Sequence, residues 1–564
     1  MNTSCTVYLT TLARFVAAAF LLSTATRSIF ADVVTDWNAT YEAAVRNPTP
    51  SAPVLARSAA IVHVAIFDAV NGIAKKYTPV RVTDTAPAGA RAEAAAAQAA
   101  YTTLLSLFPS KQSLLDAQLA ASLAQLTSSG ATSQSITIGR AWGETVAQQI
   151  LAWRATDGFS QVLTYPGSTA SGYWRHAPLG SAPAGGLSLS VTTPFALTNL
   201  AAFDPGPPYG FADRATAMAT AAYAADVNEV KARGGMVSSV RTQAQTDLAM
   251  FIHIADSADI NAIIRRVIPA NAQLVDNART FALINIAGMD AFIVCFQAKY
   301  KYGLWRPLQA INYADLDGNA ATVADPTWAP IAATPSHPEY LSGHGSVSGG
   351  MLGMAAALLG DATSFTLSTS NAGAPAITPT FSRFSAYCEA ITEARINAGF
   401  HFRTACTLAQ ASGFAVADQI VKNALLPLPG HGFANLSVRG SVRRDQETLI
   451  AGLVISSGSR QVLVRGVGPG LQTFGVSSPV ADPSIAVYDS NGTLIAQNDN
   501  WASGNATMTA ALTAATNKVG AFSLGANSFD AALLTTLGPG AYTIHVNAPA
   551  GTSGVALIEA YEVP

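Results

Sequence analysis

The spacing of apolar residues changes once along this 564-residue chain, and that change restricts the folds open to it. From about Trp37 to Leu426, apolar residues recur every three or four positions over segments such as SAAIVHVAIFDAVNGIAKKY, which are too long for strands. Beyond about residue 437 they alternate with a period of two, as in RQVLVRGV. The sequence therefore predicts a mainly α protein with a helical-bundle domain at 32–426, a linker at 427–436 and a β-sandwich accessory domain at 437–564.

Two local patterns refine this division. Gly, Pro, Ser and aromatic residues dominate between roughly 158 and 208, which predicts a long ordered loop over the bundle, of the kind that often walls a site. In the β region, Asn491-Gly492 separates two alternating runs and predicts a hairpin turn. The clusters YDSNG and NDNW carry oxygen ligands for calcium, but turn formation is the simpler explanation.

The first 31 residues have the pattern of a secretory signal peptide. Arg14 precedes the apolar run FVAAAFLLSTA, and small residues end at Ala31, before Asp32. The run is shorter than the ~20 apolar residues that a membrane span needs, and we expect no span further along the chain. These features predict a secreted or periplasmic protein.

Charge and cysteine content exclude several classes of function. Charged residues are 12% of the chain and the net charge is −2, so no overall field attracts nucleic acid, and a charged ligand must be met locally. Cys5 lies in the leader, which leaves Cys295, Cys388 and Cys406 without a C-x-x-C pattern. This argues against a zinc ribbon or a disulfide framework, although one bridge, such as Cys388 to Cys406, stays open.

Three short motifs of the helical domain concentrate cationic and strongly hydrogen-bonding groups. Two arginines can each donate two hydrogen bonds to a tetrahedral oxyanion, a lysine adds a point charge, and a serine hydroxyl and a glycine amide at a helix start add donors. Two histidines can then supply one direct bond to the central atom and one acid–base group. The residues are Lys299 and Arg306 in KYKYGLWRP, Ser342, Gly343 and His344 in PSHPEYLSGHGS, and Arg395 and His401 in RINAGFH.

The other basic residues near these motifs have simpler explanations. Lys301 and Arg175 are typical of solvated side chains at helix or loop ends. His63 and His253 lie in apolar stretches and are typical of hydrogen-bonded core histidines.

The order Lys-x6-Arg-Pro, Ser-Gly-His and Arg-x5-His resembles the signature of the vanadium-dependent haloperoxidases and the type 2 phosphatidic acid phosphatases. The resemblance extends more loosely over the helical domain and does not include the β domain. It implies paired four-helix bundles and vanadate as the cofactor. Its residue-by-residue implications are that Lys299, Arg306, Ser342, Gly343 and Arg395 bind the oxyanion, that His401 bonds the metal, and that His344 is the acid–base residue.

The chain departs from this signature at three positions. Ala394 stands where the family often has Ser, Leu341 where it often has Pro, and Ala405 where it often has Asp. The loss of the Asp removes an expected orienting partner of His401 and puts that side chain's placement in doubt.

His337, five residues before Ser342, occupies a place where brominating members resemble this chain in having histidine and chlorinating members tend to have an aromatic residue. A halide-tuning role and a simple turn residue both stay open for it. The favoured function is a secreted haloperoxidase that oxidises bromide or iodide, rather than chloride, with hydrogen peroxide and halogenates a small organic substrate. The alternatives are an acid phosphatase with a phosphohistidine intermediate, and a surface binding protein with an inactive bundle.

Overall fold

The structure is a computed structural model, and its helical part accounts for most of the chain. It describes residues 32–175, 184–269, 272–428, 435–443, 448–455, 459–504 and 506–563. The predicted signal peptide lies outside the described residues, as does most of the predicted linker.

Helices follow one another from residue 33 to residue 423, as the three- to four-residue spacing predicts. They are α1 (Val33–Ala44), α2 (Ala52–Ala74), α3 (Ala92–Leu107), α4 (Gln112–Ser128), α5 (Ser133–Ala155), α6 (Arg214–Met218), α7 (Ala221–Arg233), α8 (Gln243–Ile254), α9 (Ser257–Val267), α10 (Leu274–Tyr302), α11 (Pro307–Asn312), α12 (Gly343–Leu359), α13 (Phe384–Asn397) and α14 (Arg403–Asn423). One apolar core joins residues from α1 through α14. A small ladder of β1 (Phe365–Thr366) and β2 (Thr380–Phe381) lies between α12 and α13.

Helices α2 and α10 lie at the centre of this core. Both are long and apolar enough to cross a membrane, a property that our sequence analysis did not expect of any segment after the leader. Of their most apolar 18-residue windows, 83% and 94% are buried inside the protein. Their composition therefore fits core helices, which are apolar on every side because they pack on every side.

The long segment before α6 is ordered by a buried carboxylate. Asp290 on α10 accepts hydrogen bonds from the backbone amides of Phe195, Ala196 and Leu197 at 2.7–3.0 Å. Burial raises the pKa of Asp290 to about 6, against the opposing effect of these three hydrogen bonds. These hydrogen bonds fix part of the predicted loop between 158 and 208 on the bundle. The described part of this loop also contains short 3-10 turns at Leu187–Val191 and Leu200–Phe203.

Helix α12 approaches its neighbours closely because it is rich in glycine. A β-carbon on Gly350 would fall inside van der Waals contact with the backbone oxygen of Ala287 on α10. On the opposite side, a β-carbon on Gly413 of α14 would lie 2.6 Å from the backbone oxygen of Ser346. Backbone-to-backbone packing on two sides fixes the start of α12, which carries the Ser-Gly-His motif.

The three cysteines are buried and free, so the structure contradicts a Cys388–Cys406 bridge. Burial raises the pKa of each thiol, and that of Cys406 reaches about 12.

The C-terminal part contains two four-stranded antiparallel sheets, ordered β3-β10-β5-β8 and β4-β9-β6-β7. The two sheets share one apolar cluster. Asn491-Gly492 connects β6 to β7, as predicted, and Asp489 accepts the backbone amides of Asn491 and Thr493, so turn formation explains the YDSNG cluster. The elements are β3 (Leu436–Arg443), β4 (Leu449–Ile455), β5 (Arg460–Val467), β6 (Ser484–Asp489), β7 (Leu494–Asn498), α15 (Ala506–Lys518), β8 (Ala531–Leu537), β9 (Gly540–Asn547) and β10 (Ser553–Glu562).

Candidate oxyanion site

The three motifs converge where several helices begin or end. Lys299 lies in the last turn of α10, and Arg306 precedes α11, whose start is fixed by a proline at its first position. Ser342 caps α12, where its hydroxyl accepts the amide of Gly345 at 3.4 Å. Arg395 lies in the last turn of α13, and His401 lies in the short connection to α14.

Arg306 connects two of the motifs through its guanidinium group. Its Nη1 donates to Nε2 of His401 at 3.0 Å and to the backbone oxygen of Phe400 at 2.8 Å. Its Nη2 donates to Nδ1 of His337 at 2.8 Å, and its Nε donates to the His337 carbonyl. His337 is therefore part of the site and not only a turn residue.

His401 is oriented by a carboxylate that the sequence analysis did not identify. Its Nδ1 lies 2.9 Å from Oε1 of Glu339, and the same oxygen accepts the backbone amide of Phe402. Because Nδ1 donates to Glu339 and Arg306 donates to Nε2, the ring carries its proton on Nδ1 and presents a lone pair at Nε2. Glu339 thus supplies the orienting contact that Ala405 cannot make, and the expected loss of an orienting partner is wrong.

Lys299 is fully buried, and its Nζ donates to the backbone oxygens of Pro338 and Glu339 at 2.8 and 3.0 Å. Burial lowers the pKa of Lys299 to about 7, and Arg306 acts in the same direction. Burial likewise lowers the pKa of Arg306 to about 10. Positive charge in this site is therefore destabilised by desolvation.

Arg395 joins the site together with a histidine from outside the motifs. Its Nη1 donates to Nδ1 of His253 at 3.3 Å, and its guanidinium lies 4.7 Å from the ring centre of Phe400. Its Nε is buried without a hydrogen-bond partner among the described residues. Burial, more than any other effect, lowers the pKa of Arg395 to about 9. His253, which the sequence analysis assigned to a hydrogen-bonded core, accepts this bond and packs against the ring of Phe400.

His344 follows Gly343 in the first turn of α12 and lines a cavity that it shares with His253. Burial lowers the pKa of His344 well below its usual value, and the positive charge of Arg395 adds to this effect. The same two causes, burial first and neighbouring cations second, lower the pKa values of His337 and His401. All three imidazoles are therefore neutral near pH 7 and available as proton acceptors or ligands.

The charge of the site is unbalanced. Lys299, Arg306 and Arg395 are all at most 1% exposed, and within the described part of the chain none of them forms an ion pair shorter than 4 Å. The carboxylate of Glu339 favours the charged forms of Lys299 and Arg306. Burial raises the pKa of Glu339 itself to about 7. A buried excess of cations is stable only when an anion neutralises it. The unpartnered Nε of Arg395 supplies a donor for such an anion.

The start of α12 adds uncharged donors to this cluster. The amides of its first turn have no helical partner, and a β-carbon on Gly343 would lie 3.2 Å from the ring of Phe292. A side chain at position 343 would therefore press on that ring. The donor set of three cations, a hydroxyl and helix amides fits a tetrahedral oxyanion such as phosphate or vanadate.

The structure thus brings Lys299, Arg306, His337 and His401 into one connected cluster, with Glu339 among them. By contrast, Lys301 is exposed and pairs with Asp204, and His63 stacks on Phe281 in the core, as predicted. Arg175 lies over the ring of Tyr313, outside the cluster.

The sequence analysis did not name Glu339, and it named His253 only as a core histidine. Glu339 lies within PSHPEYLSGHGS, where an acidic residue surrounded by apolar and small residues was a usable signal. His253 had no such signal, because only the packing of α8 against α13 brings it near Arg395.

Comparisons with known proteins agree with this geometry. Residues 279–428, which contain all three motifs, match the family model of the VCPO second helical-bundle domain. Vanadium chloroperoxidase from Curvularia inaequalis is 30% identical over 114 residues, which are 17% of this chain and 18% of that protein. The chain therefore matches less than a fifth of the length of that relative.

Solved structures show the same fold over a longer stretch. A bacterial vanadium-dependent iodoperoxidase superimposes with a TM-score of 0.57 at 22% identity, covering 70% of this chain and 95% of the other. A bacterial vanadium-dependent chloroperoxidase superimposes with a TM-score of 0.51 at 15% identity, covering 66% of this chain and 94% of the other. The three motifs thus lie within the stretch that matches the VCPO second helical-bundle domain, and the helical part of the chain has the fold of these vanadium-dependent peroxidases.

Proposed function

We propose that the protein is a vanadate-dependent haloperoxidase that oxidises bromide or iodide with hydrogen peroxide. The observation that carries the proposal is His401, whose Nε2 lone pair faces a buried group of cations while Glu339 holds Nδ1. The relatives named above are vanadium chloroperoxidases and a vanadium iodoperoxidase, which supports the same class of activity.

The residues divide the work of binding the cofactor. Lys299, Arg306 and Arg395 neutralise the oxyanion, and the Ser342 hydroxyl and the Gly343 amide donate to it. His401 would supply the nitrogen ligand through Nε2, the atom that Arg306 contacts in this structure. When bound, vanadate would supply a Lewis-acidic centre that activates hydrogen peroxide without a change in its own oxidation state.

His344 is the proposed acid–base residue. Its lowered pKa leaves it neutral near pH 7, so it can accept a proton from hydrogen peroxide. The overall reaction converts halide, hydrogen peroxide and one proton into hypohalous acid and water. The halide is oxidised by two electrons and the O–O bond is broken.

His337 supports bromide or iodide as the halide. It places a polar, hydrogen-bonding imidazole on Arg306. The sequence resembles the brominating members in having histidine at this position, whereas chlorinating members tend to have an aromatic residue. Chloride is the hardest of the three halides to oxidise, and we expect its turnover to be the slowest.

Vanadate reconstitution tests the proposal. Purified protein freed of bound anions should gain peroxide-dependent bromide and iodide oxidation on addition of vanadate, and phosphate should compete with this gain. His401→Ala should lose vanadate binding, while His344→Ala should bind vanadate and lose turnover. Hydrolysis of a generic phosphomonoester, inhibited by vanadate and unaccompanied by halide oxidation, would instead favour the acid phosphatase.

We also propose that residues 1–31 are a signal peptide and that the enzyme acts outside the cytoplasm. Hypohalous acid damages cellular components, which supports an exported location. N-terminal sequencing of the mature protein should give Asp32 as the first residue. A protein that retains the leader would contradict this.

A further inference from the structure

The connection between α13 and α14, which carries His401, is held at both ends by side chains of helix α7. Before the connection, Arg233 of α7 donates its Nε to Oδ1 of Asn397 at 3.1 Å. After it, the carboxylate of Asp226 on α7 accepts the backbone amide of Thr404 at 3.4 Å. Asp226 thus caps α14, whose own N-cap residue supplies no side-chain cap.

Four charged side chains close a ring of ion pairs around this connection. Glu229 of α7 accepts hydrogen bonds from Nε and Nη2 of Arg403 at 3.0 and 2.7 Å, and from Nη1 of Arg233 at 2.7 Å. Glu393 of α13 accepts hydrogen bonds from Nη1 of Arg403 at 2.7 Å and from Nη2 of Arg233 at 2.5 Å. This ion-pair ring therefore joins α7 to residues that flank the Arg-x5-His motif on both sides.

The members of the ion-pair ring are partly buried, with side-chain exposures from 22% to 43%. Isolated ion pairs with such exposure contribute little, but a closed network with a two-point guanidinium contact holds its members in one arrangement. The loss of one carboxylate would leave two guanidinium groups on the other carboxylate. Their mutual repulsion would then separate α7 from the start of α14.

The end of α7 also touches the connection through backbone atoms. A β-carbon on Gly234 would lie 2.5 Å from Cα of Gly399, and a β-carbon on Gly399 would lie 2.5 Å from the backbone oxygen of Gly234. Gly399 has a φ of +77°, which side-chain-bearing residues rarely adopt. The position of α7 therefore limits where the backbone before His401 can lie.

We infer that Glu229 is a positioning residue for His401. Through the ion-pair ring it holds the connection in the arrangement that directs Nε2 of His401 toward Arg306. The inference rests on the proposed function for the role of His401 in oxyanion binding. Helix α7 precedes residues 279–428, which match the family model, so the order of the three motifs carries no signal for Glu229.

Phosphate binding to the vanadate-free protein tests the inference. Glu229→Gln should bind phosphate about fivefold more weakly than wild type, a typical size for a residue that acts on a site without touching its ligand. Glu42→Gln is the matched control, because Glu42 accepts two hydrogen bonds from Arg265 at 2.9 and 3.3 Å in a partly buried pair between α1 and α9. The control should bind phosphate as wild type does. Equal losses of affinity in the two variants would show general loosening and overturn the inference.

A histidine-selective ¹⁵N NMR spectrum reports on His401 without a bound anion. The Nε2 resonance of His401, assigned by its loss in His401→Ala, should shift or broaden in Glu229→Gln and stay unchanged in Glu42→Gln. Arg403→Lys retains the charge opposite Glu229 and should resemble wild type more closely than Arg403→Gln does. An identical Nε2 resonance in wild type, Glu229→Gln and Arg403→Gln would contradict the positioning role.

The two measurements separate this inference from the proposed function. If wild type binds neither phosphate nor vanadate, the oxyanion site is rejected, and the NMR comparison still decides whether Glu229 positions His401. If wild type binds both anions while Glu229→Gln keeps the same phosphate affinity and the same spectrum, the positioning role alone is rejected.

Discussion

Oε1 of Glu339 lies 2.9 Å from Nδ1 of His401, and both residues are at most 1% exposed. The contact joins two motifs that are 62 residues apart in the chain. It fixes the tautomer of His401, and it therefore determines which nitrogen of that ring is available to a ligand.

Removal of this carboxylate should weaken oxyanion binding. We expect Glu339→Ala to lower vanadate affinity roughly 10- to 100-fold, as is common for groups that orient a metal ligand. Glu339→Gln retains an oxygen acceptor and should lose less. Vanadate titration of both variants, with circular dichroism as the folding control, measures the effect. A larger loss in the Gln variant than in the Ala variant would contradict an orienting role.

His253 should support Arg395 in binding the oxyanion. Replacement by phenylalanine removes the acceptor at 3.3 Å from Arg395 Nη1, and we expect about fivefold weaker vanadate binding. His63→Phe is the control, since His63 is also a histidine inside the helical domain but stacks on Phe281 away from the site. The control variant should change thermal stability without changing vanadate affinity. Equal vanadate affinities in the two variants would contradict a role for His253 in anion binding.

Anion affinity should fall as pH rises. Lys299 has a pKa lowered to about 7, so the empty site loses this positive charge as pH rises through that value, while Glu339, raised to about 7, gains a negative one. Both changes weaken anion binding in the same direction. Sulfate, whose charge is constant in this range, should bind roughly tenfold more weakly at about pH 8.5 than at about pH 6.

Lys299→Met is the variant that isolates the lysine. This variant should bind sulfate more weakly than wild type does. Its sulfate affinity should also depend less on pH, because only the titration of Glu339 remains. Calorimetric titrations at several pH values give the comparison. A wild-type affinity that is constant or rises with pH would contradict the lowered pKa of Lys299.

Helix packing should control the site from a distance. Gly350→Ala places a methyl group against the backbone of Ala287, and we expect a loss of about 1–3 kcal/mol in the free energy of unfolding together with weaker vanadate binding. In Gly353→Ala, on the same helix, the added methyl group contacts mainly the side chain of Phe414, which can move. This variant should lose less stability and less vanadate affinity than Gly350→Ala. Denaturant unfolding and vanadate titration test the pair. Equal effects would show that close α10–α12 contact is not required.

Much of the helical fold and the order of the three motifs could be predicted from sequence, because apolar periodicity and residue spacing are local properties. The contacts of Arg306 with both His337 and His401 could not, since they depend on how α11 meets the turn before α12. The clearest error concerned Ala405. A missing acid at one position suggested an unsupported His401, but Glu339 approaches the same ring nitrogen from another segment.

The excess of buried cations has a consequence for the handling of this protein. Lys299, Arg306 and Arg395 repel one another inside the helical core, so an anion that binds among them stabilises the folded state in proportion to its concentration and affinity. Melting temperatures measured in phosphate, sulfate and chloride buffers should therefore differ, in that order of stabilisation. The supply of oxyanion would then determine how long the folded protein persists in solution.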